Sequence, residues 1–159
     1  MEVLWEELTR GFPDRRTLLI VVFRLLAATI LGAVIGLQRE WAGKAAGLRT
    51  HMLVSLGTAL VVAACGAIGM TTDGLSRVMQ GVVTGIGFIG AGSILKLSRV
   101  REIKGLTTAA GLWITAAIGI SAGVGAIGLA LVATVFAVIV LALETVEEKL
   151  EKNRKDRRV

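Results

Sequence analysis

Residues able to do chemistry are few in this sequence, and they gather at the borders of apolar runs. Arg39 and Glu40 close the first run, Arg49, Thr50 and His51 open the second, and Lys104, Thr107 and Thr108 open a later one. The segments GLRTH (47–51) and GLTTA (105–109) each put a glycine at a helix entry, followed by threonine able to satisfy free N–H groups of the first turn. Two helix N-termini beside Arg39, Arg49 and Lys104 would make an anion-friendly corner. Its candidate ligands are a phosphate-bearing molecule, an anionic lipid head group, or an acidic segment of a partner protein. The same basic residues could instead only orient the chain and pair with Glu40 and Glu102. His51 is the sole histidine. A hydrogen-bonded structural role suits it better than proton transfer, because a relay needs further titratable groups in the spans. Arg24 lies inside an apolar run, where a charge is costly and calls for a partner. Asp73, near Arg77 on the following outer loop, is the expected one.

The piece from Gly81 to Trp113 carries the densest signal. Gly81, Gly85, Gly87, Gly90 and Gly92 fall within twelve residues of otherwise apolar sequence. In a soluble helix each would cost about 0.5–1 kcal/mol relative to alanine. Either these glycines let membrane helices approach closely, with Gly81 and Gly85 in GxxxG spacing, or the helix is broken and lines a cavity.

Other chemistries find little material. Between Thr17 and Leu143 the acids are Glu40, Asp73 and Glu102, all near the ends of apolar runs. A magnesium path wants clustered oxygen ligands, so little beyond the glycine-rich backbone is offered to a cation. An anion path fits the charges better. Cys65 is the single cysteine, and no nucleophile–base pair, acid dyad or metal cluster stands out. Neither catalysis, a cofactor nor a bound metal is expected. The net charge of +6 sits in loops between apolar runs, which speaks for orientation in a membrane rather than for nucleic acid.

The elements that must hold these residues are membrane helices. The 159 residues are 54% hydrophobic, with one proline and a mean hydropathy of +0.74, the composition of an all-α polytopic integral membrane protein in one domain. Spans are expected at 18–37, 48–70, 78–97, 106–121 and 125–143. The last two divide a charge-free run of 38 residues, which as one helix would measure about 57 Å. Residues 1–16 are expected to be an N-terminal segment whose amphipathic stretch 3–12 either lies in the membrane interface or frays, with no removable signal peptide expected, and 144–159 a charged helical tail beyond the 1–143 transmembrane domain. Thirteen lysines and arginines fall on the side of the 38–49 loop, the 96–105 loop and the tail, against four on the other. The N-terminus is therefore expected outside and the C-terminus in the cytoplasm. Shifted by 58 residues the chain matches itself, Leu31-Gly32-Ala33 on Ile89-Gly90-Ala91 and Gly47-Leu48 on Gly105-Leu106. Spans one–two and three–four would then be parallel helical hairpins.

The ordered motifs Arg24…GAVIGLQRE (32–40), AGLRTHMLVSLGTAL (46–60), GVVTGIGFIGAG (81–92) and KGLTTAAGLWITAAIGI (104–120) resemble the MgtC/SapB family of bacterial inner-membrane proteins. The resemblance covers roughly residues 20–125. It implies a helical inner-membrane protein linked to adaptation to low magnesium and to survival in host cells, one that regulates other membrane systems rather than pumping magnesium. The alternative is a transporter or channel for Mg²⁺ or phosphate using the glycine-rich third span. Signature positions carried over are Arg24, Gly36, Arg39, Glu40, Gly47, Arg49, Thr50, His51, Arg77, Gly85, Gly87, Gly90, Gly92, Gly105, Thr107, Thr108 and Trp113. Gln38 stands where many members have glutamate and Gly81 where glutamine is usual, and the chain is expected to be a short form without the soluble C-terminal domain of longer members. Expected partners are the lipid bilayer, another membrane protein, an anionic lipid or phosphate-bearing ligand, and a second copy in a homodimer, the last because small-residue faces invite helix pairing.

Overall fold

The computed structural model describes residues 14–97 and 102–156, together with Met1 and Leu4. Most of the expected interfacial segment lies outside them. The described chain is all-α: helices α1 (Arg15–Trp41), α2 (Leu48–Ala67), α3 (Thr72–Gly92), α4 (Leu106–Val124) and α5 (Ile127–Asp156). A short antiparallel hairpin, β1 (Leu95–Leu97) with β2 (Glu102–Lys104), joins α3 to α4.

Local sequence explains the helix limits. Asp14 caps α1, its carboxylate accepting from the Thr17 N–H at 2.6 Å, and that bond holds the carboxyl below its ordinary pKa. Thr71 caps α3 through the Gly74 N–H. Its polar first turns, with Asp73 and Arg77 paired at 2.7 Å, start this helix six residues before the expected 78. It ends at Gly92 rather than 97, because the chain beyond goes into β1. The charge-free run turns at Gly125, the residue at which the last expected span opens; a φ of +96° there is a left-handed conformation that glycine adopts without strain. Gly105, at φ +95°, likewise brings the hairpin into α4. α5 passes the expected domain limit at 143/144 without a break.

Packing fixes the layout. Ser55 reaches the Ala28 carbonyl, and the backbone of Gly36 lies on Leu48, so α1 and α2 are antiparallel. Against α4, His51 meets Gly111, Ser55 meets Gly119 and Ala59 meets Gly123, so α2 and α4 run parallel with their N-termini at one end. Gln38 and Arg39 of α1 bond Leu141 and Glu144 of α5, while Phe23 and Leu26 share a groove with Ile127 and Leu131. These two helices are also parallel. α2 is thus clasped between α1 and α4, α5 closes the bundle against α1 and α4, and α3 rides at the edge on α4.

The closest helix contacts are made by two GxxxG pairs, neither of them in α3. A Cβ on Gly32 would sit 2.6 Å from the His51 carbonyl oxygen, and one on Gly36 2.7 Å from the Leu48 Cα. On the other flank of α2, Gly119 abuts Thr58 and Ser55, and a Cβ on Gly123 would lie 2.7 Å from the Ala59 oxygen. Close backbone approach at small residues is how membrane helices gain packing. The expectation that Gly81, Gly85, Gly87 and Gly92 pack is not met among the described residues, where nothing lies within 4 Å of a Cβ on any of them, and the helix runs through them without a break. Gly90 alone of the five packs, on Ala109. That contact is the Gly32–His51 contact moved by the 58-residue repeat.

The distribution of side chains is inverted relative to a water-soluble protein. Arg39, His51, Ser55, Thr108, Thr115 and Thr134 are buried, with alanines and Leu31, Ile35 and Ile118 around them. Phe23, Ile30, Leu53, Phe88, Phe136 and Val140 point outward. Exposed apolar surface on this scale belongs against lipid. α1, α2, α4 and the 127–144 part of α5 are each long and apolar enough to cross a membrane.

Candidate functional site

The chemistry-bearing residues meet where the end of α1, the starts of α2 and α4, and Glu144 of α5 come together. Arg39 is wholly buried, and its Nη1 donates to Glu144 Oε2 at 2.7 Å. Lys44, from the loop after α1, donates to the other oxygen, Oε1, at 3.1 Å. One carboxylate thus bridges two cations. Arg39 Nη2 lies 3.5 Å from Thr108 Oγ1, which ties the first turn of α4 to the same group. Withdrawing such charges from water costs several kcal/mol per ion, recovered only by close ionic geometry. Gln38, one residue earlier, donates its amide to the Leu141 carbonyl at 3.2 Å.

The helix starts are already served. Glu40 accepts from the Leu48 N–H at 2.9 Å, placing a carboxylate on the N-terminus of α2. The anion-friendly corner therefore contains two anions of its own, Glu40 at the helix end and Glu144 at Arg39. The basic residues Arg39, Arg49 and Lys104 are expected to pair with Glu40 and Glu102; for Arg39 the carboxylate found is Glu144 instead, and the side chain of Glu102 lies outside the described ones. His51 is also wholly buried. Its Nδ1 is 2.9 Å from the Gly47 carbonyl oxygen; since that oxygen can only accept, Nδ1 carries the proton and Nε2 of the neutral ring is a bare acceptor. Nε2, Arg39 Nε and Gln38 Oε1 are buried without a protein partner. His51 Nε2 faces Gly111, one turn along α4 from the threonine that meets Arg39.

Around this buried set lies an open depression of about 490 Å³, lined among others by Glu40, Lys44, Gly47, Arg49 and Thr50. Arg49, Thr50 and Lys104 are exposed, Thr107 is half-buried and Thr108 buried. Of the residues singled out in the sequence, the structure places Arg39, Glu40, His51 and Thr108 close to one another. Sequence reasoning missed Glu144, Ser55 and Thr115, the last two buried hydroxyls that bond the Ala28 and Gly111 carbonyls. Trp113, on α4, is 48% exposed and belongs to no part of this cluster.

Arg24 stands apart, and its expected partner is wrong. Asp73 is held by Arg77, whereas Arg24 Nη1 donates to the Gly123 carbonyl at 3.0 Å and its guanidinium packs on Gly125. The physical reason is the end of α4: the last carbonyls of a helix have no intrahelical donor, and a cation there also suits the dipole. Among the described residues no group of three or more His, Cys, Asp or Glu side chains converges as a metal site would require.

Polar groups inside, large apolar residues outside and four helices of membrane length define a multi-pass helical membrane protein with a buried ionic knot at one end. The chain belongs to the MgtC family, whose model matches residues 25–150. It is 46% identical to protein SrpB of Synechococcus elongatus over 131 residues, 76% of this chain and 72% of the relative. It is 45% identical to YhiD of Escherichia coli strain K12, whose name marks it as a candidate magnesium transporter, over 76% of this chain and 58% of YhiD. Protein MgtC of Salmonella typhimurium is 41% identical over 77% of this chain and 51% of that protein. The chain thus spans little more than half the length of the last two. No solved structure matches it.

Proposed function

We propose that this chain is a non-enzymatic inner-membrane protein that regulates another membrane system during adaptation to low magnesium, acting through helix contact. The observation that carries the reading is the free face of α3. Gly81, Gly85, Gly87 and Gly92 meet nothing among the described residues, although the neighbouring α1 and α4 use the glycine pairs Gly32/Gly36 and Gly119/Gly123 for close packing. Small residues on an outer membrane helix offer a partner helix a close approach. That partner is another membrane protein or a second copy. Family membership supports the link to magnesium, and so does the name of YhiD.

Transport is the competing reading, and the geometry lends it less. The glycine-rich span that was to form a path faces outward, and the buried charges of the interior close on each other through Glu144. The test has two arms. In sealed proteoliposomes, Mg²⁺, H⁺ and phosphate flux is expected to equal that of empty liposomes; flux above that level from folded, inserted protein overturns the regulator reading. In cells lacking the native gene, Gly85→Leu is expected to insert and accumulate normally yet fail to support growth at low magnesium. Normal growth would remove α3 from the mechanism.

A further inference from the structure

A groove of about 340 Å³ runs along the outside of the bundle between α1 and α5, walled by Phe23, Leu26, Ile30, Ile127 and Leu131 among other apolar side chains. Its walls on α1 extend from Phe23 to Leu31, about 12 Å along the helix axis. Arg24 follows Phe23, the first groove wall on α1, and its guanidinium packs on Gly125, two residues before the wall residue Ile127. Of its five N–H donors, the one hydrogen bond present goes to the Gly123 carbonyl. No carboxylate among the described residues pairs with it, and its remaining donors are not buried away from the surroundings. A long apolar slot is thus neighboured, at its Phe23 and Ile127 walls, by a cation with unused, fork-shaped hydrogen-bonding capacity.

We propose that a phospholipid of the bilayer occupies this groove, one acyl chain lying between α1 and α5 and its phosphate held by Arg24. Two arguments select this occupant. The slot is apolar throughout, which suits a hydrocarbon chain and excludes a free polar anion. Arg24 then supplies the charge complement: guanidinium binds phosphate in bidentate geometry, and a cation in an apolar span requires an anion or water. Depth agrees with both. Arg24 is nine residues from the start of α1, about 13 Å, and side chains on a helix lean toward its N-terminus, here the nearer membrane surface. The long Arg side chain shortens that distance further by reaching toward the head groups. The site is at the opposite end of α1 from Arg39 and Arg49, so it does not depend on the basic corner.

Native mass spectrometry of the purified full chain in detergent tests this, with dioleoyl phosphatidylglycerol, dioleoyl phosphatidylcholine and dioleoylglycerol as probes. One phospholipid of either head group is expected to stay bound, about tenfold more tightly than the phosphate-free dioleoylglycerol. Arg24→Gln should abolish that preference, and Leu131→Trp, which fills the groove from an outward-facing position, should displace all three. Arg49→Gln should change nothing. Because Arg24→Gln also loosens the end of α4, Leu131→Trp decides the matter if that variant fails to fold. Equal binding of dioleoylglycerol, or full phospholipid binding by Leu131→Trp, overturns the proposal. Loss of binding in Arg49→Gln with retention in Leu131→Trp would move the lipid to the basic corner and overturn it too.

Discussion

Arg39 carries a full charge with no exposed surface, and Glu144, 24% exposed at its side chain, is the carboxylate that compensates it. Replacing Glu144 by glutamine keeps the shape and removes the charge. Breaking a buried pair on one side leaves an uncompensated ion and costs about 3 kcal/mol. Glu144→Gln should therefore melt well below the parent in detergent. Arg39→Met combined with Glu144→Leu should recover most of the loss, because apolar residues of similar size need no counter-charge. If Glu144→Gln melts like the parent, the charge of Glu144 contributes nothing to stability and hydrogen bonding to the neutral amide is enough to hold Arg39. The sequence pointed to Arg39 through its place at the border of an apolar run. It did not point to Glu144, which lies 105 residues away and sits where a run of charges in helical spacing offers nearer partners. Arg24 was misread for a related reason. Sequence reasoning looks for a carboxylate opposite a buried cation, whereas the partner is a backbone carbonyl, and carbonyls leave no mark in a sequence.

Glycine spacing marks the contacts made inside the chain on α1 and α4 rather than on α3. The density of glycines in α3 drew attention there, while the pairs that pack, Gly32 with Gly36 and Gly119 with Gly123, sit at ordinary density in α1 and α4. Spacing establishes that a small-residue face exists; which face meets a neighbour is decided by the other helices. The two classes of glycine should respond oppositely to substitution. Gly32→Val would drive two methyl groups against the His51 backbone, and Gly119→Val would do the same against Ser55 and Thr58. A backbone neighbour yields less than a side chain, so each is expected to cost at least about 2 kcal/mol and to lower the yield of folded protein. Gly85→Val projects into open space and should leave melting in detergent within about 0.5 kcal/mol of the parent. Equal damage from all three would mean that α3 is packed against a second copy even in detergent.

At the scale of the whole chain, the antiparallel turns and the parallel pairs α1/α5 and α2/α4 gather the end of α1, the starts of α2 and α4 and the middle of α5 around Arg39 and leave Arg24 toward the other end. The helical class and the turn in the long apolar run were legible because bilayer thickness limits what one helix can span. The limits of α3 were not. Its polar first turns resemble a loop, and its last residues before the hairpin are as apolar as a span. That matters for orientation, since the count of thirteen basic residues against four assumes that α3 crosses, and α3 is the helix whose composition falls short of a clear span. Labelling settles it. In a Cys65→Ala background, cysteine at Ala45, in the turn after α1, should resist a membrane-impermeant maleimide added to intact cells. Cysteine at Ile68, at the far end of α2 and well exposed, should react. This pair tests α2 alone. Cysteine at Lys104, just after the hairpin, tests α3: protection there places both basic loops in the cytoplasm, with α3 crossing as the positive-inside count requires. Labelling at Lys104 with protection at Ala45 would leave α3 on the outer side and split the basic corner across the membrane. The Arg39–Thr108 contact forbids that arrangement for a folded chain, so such a result would count against the bundle itself.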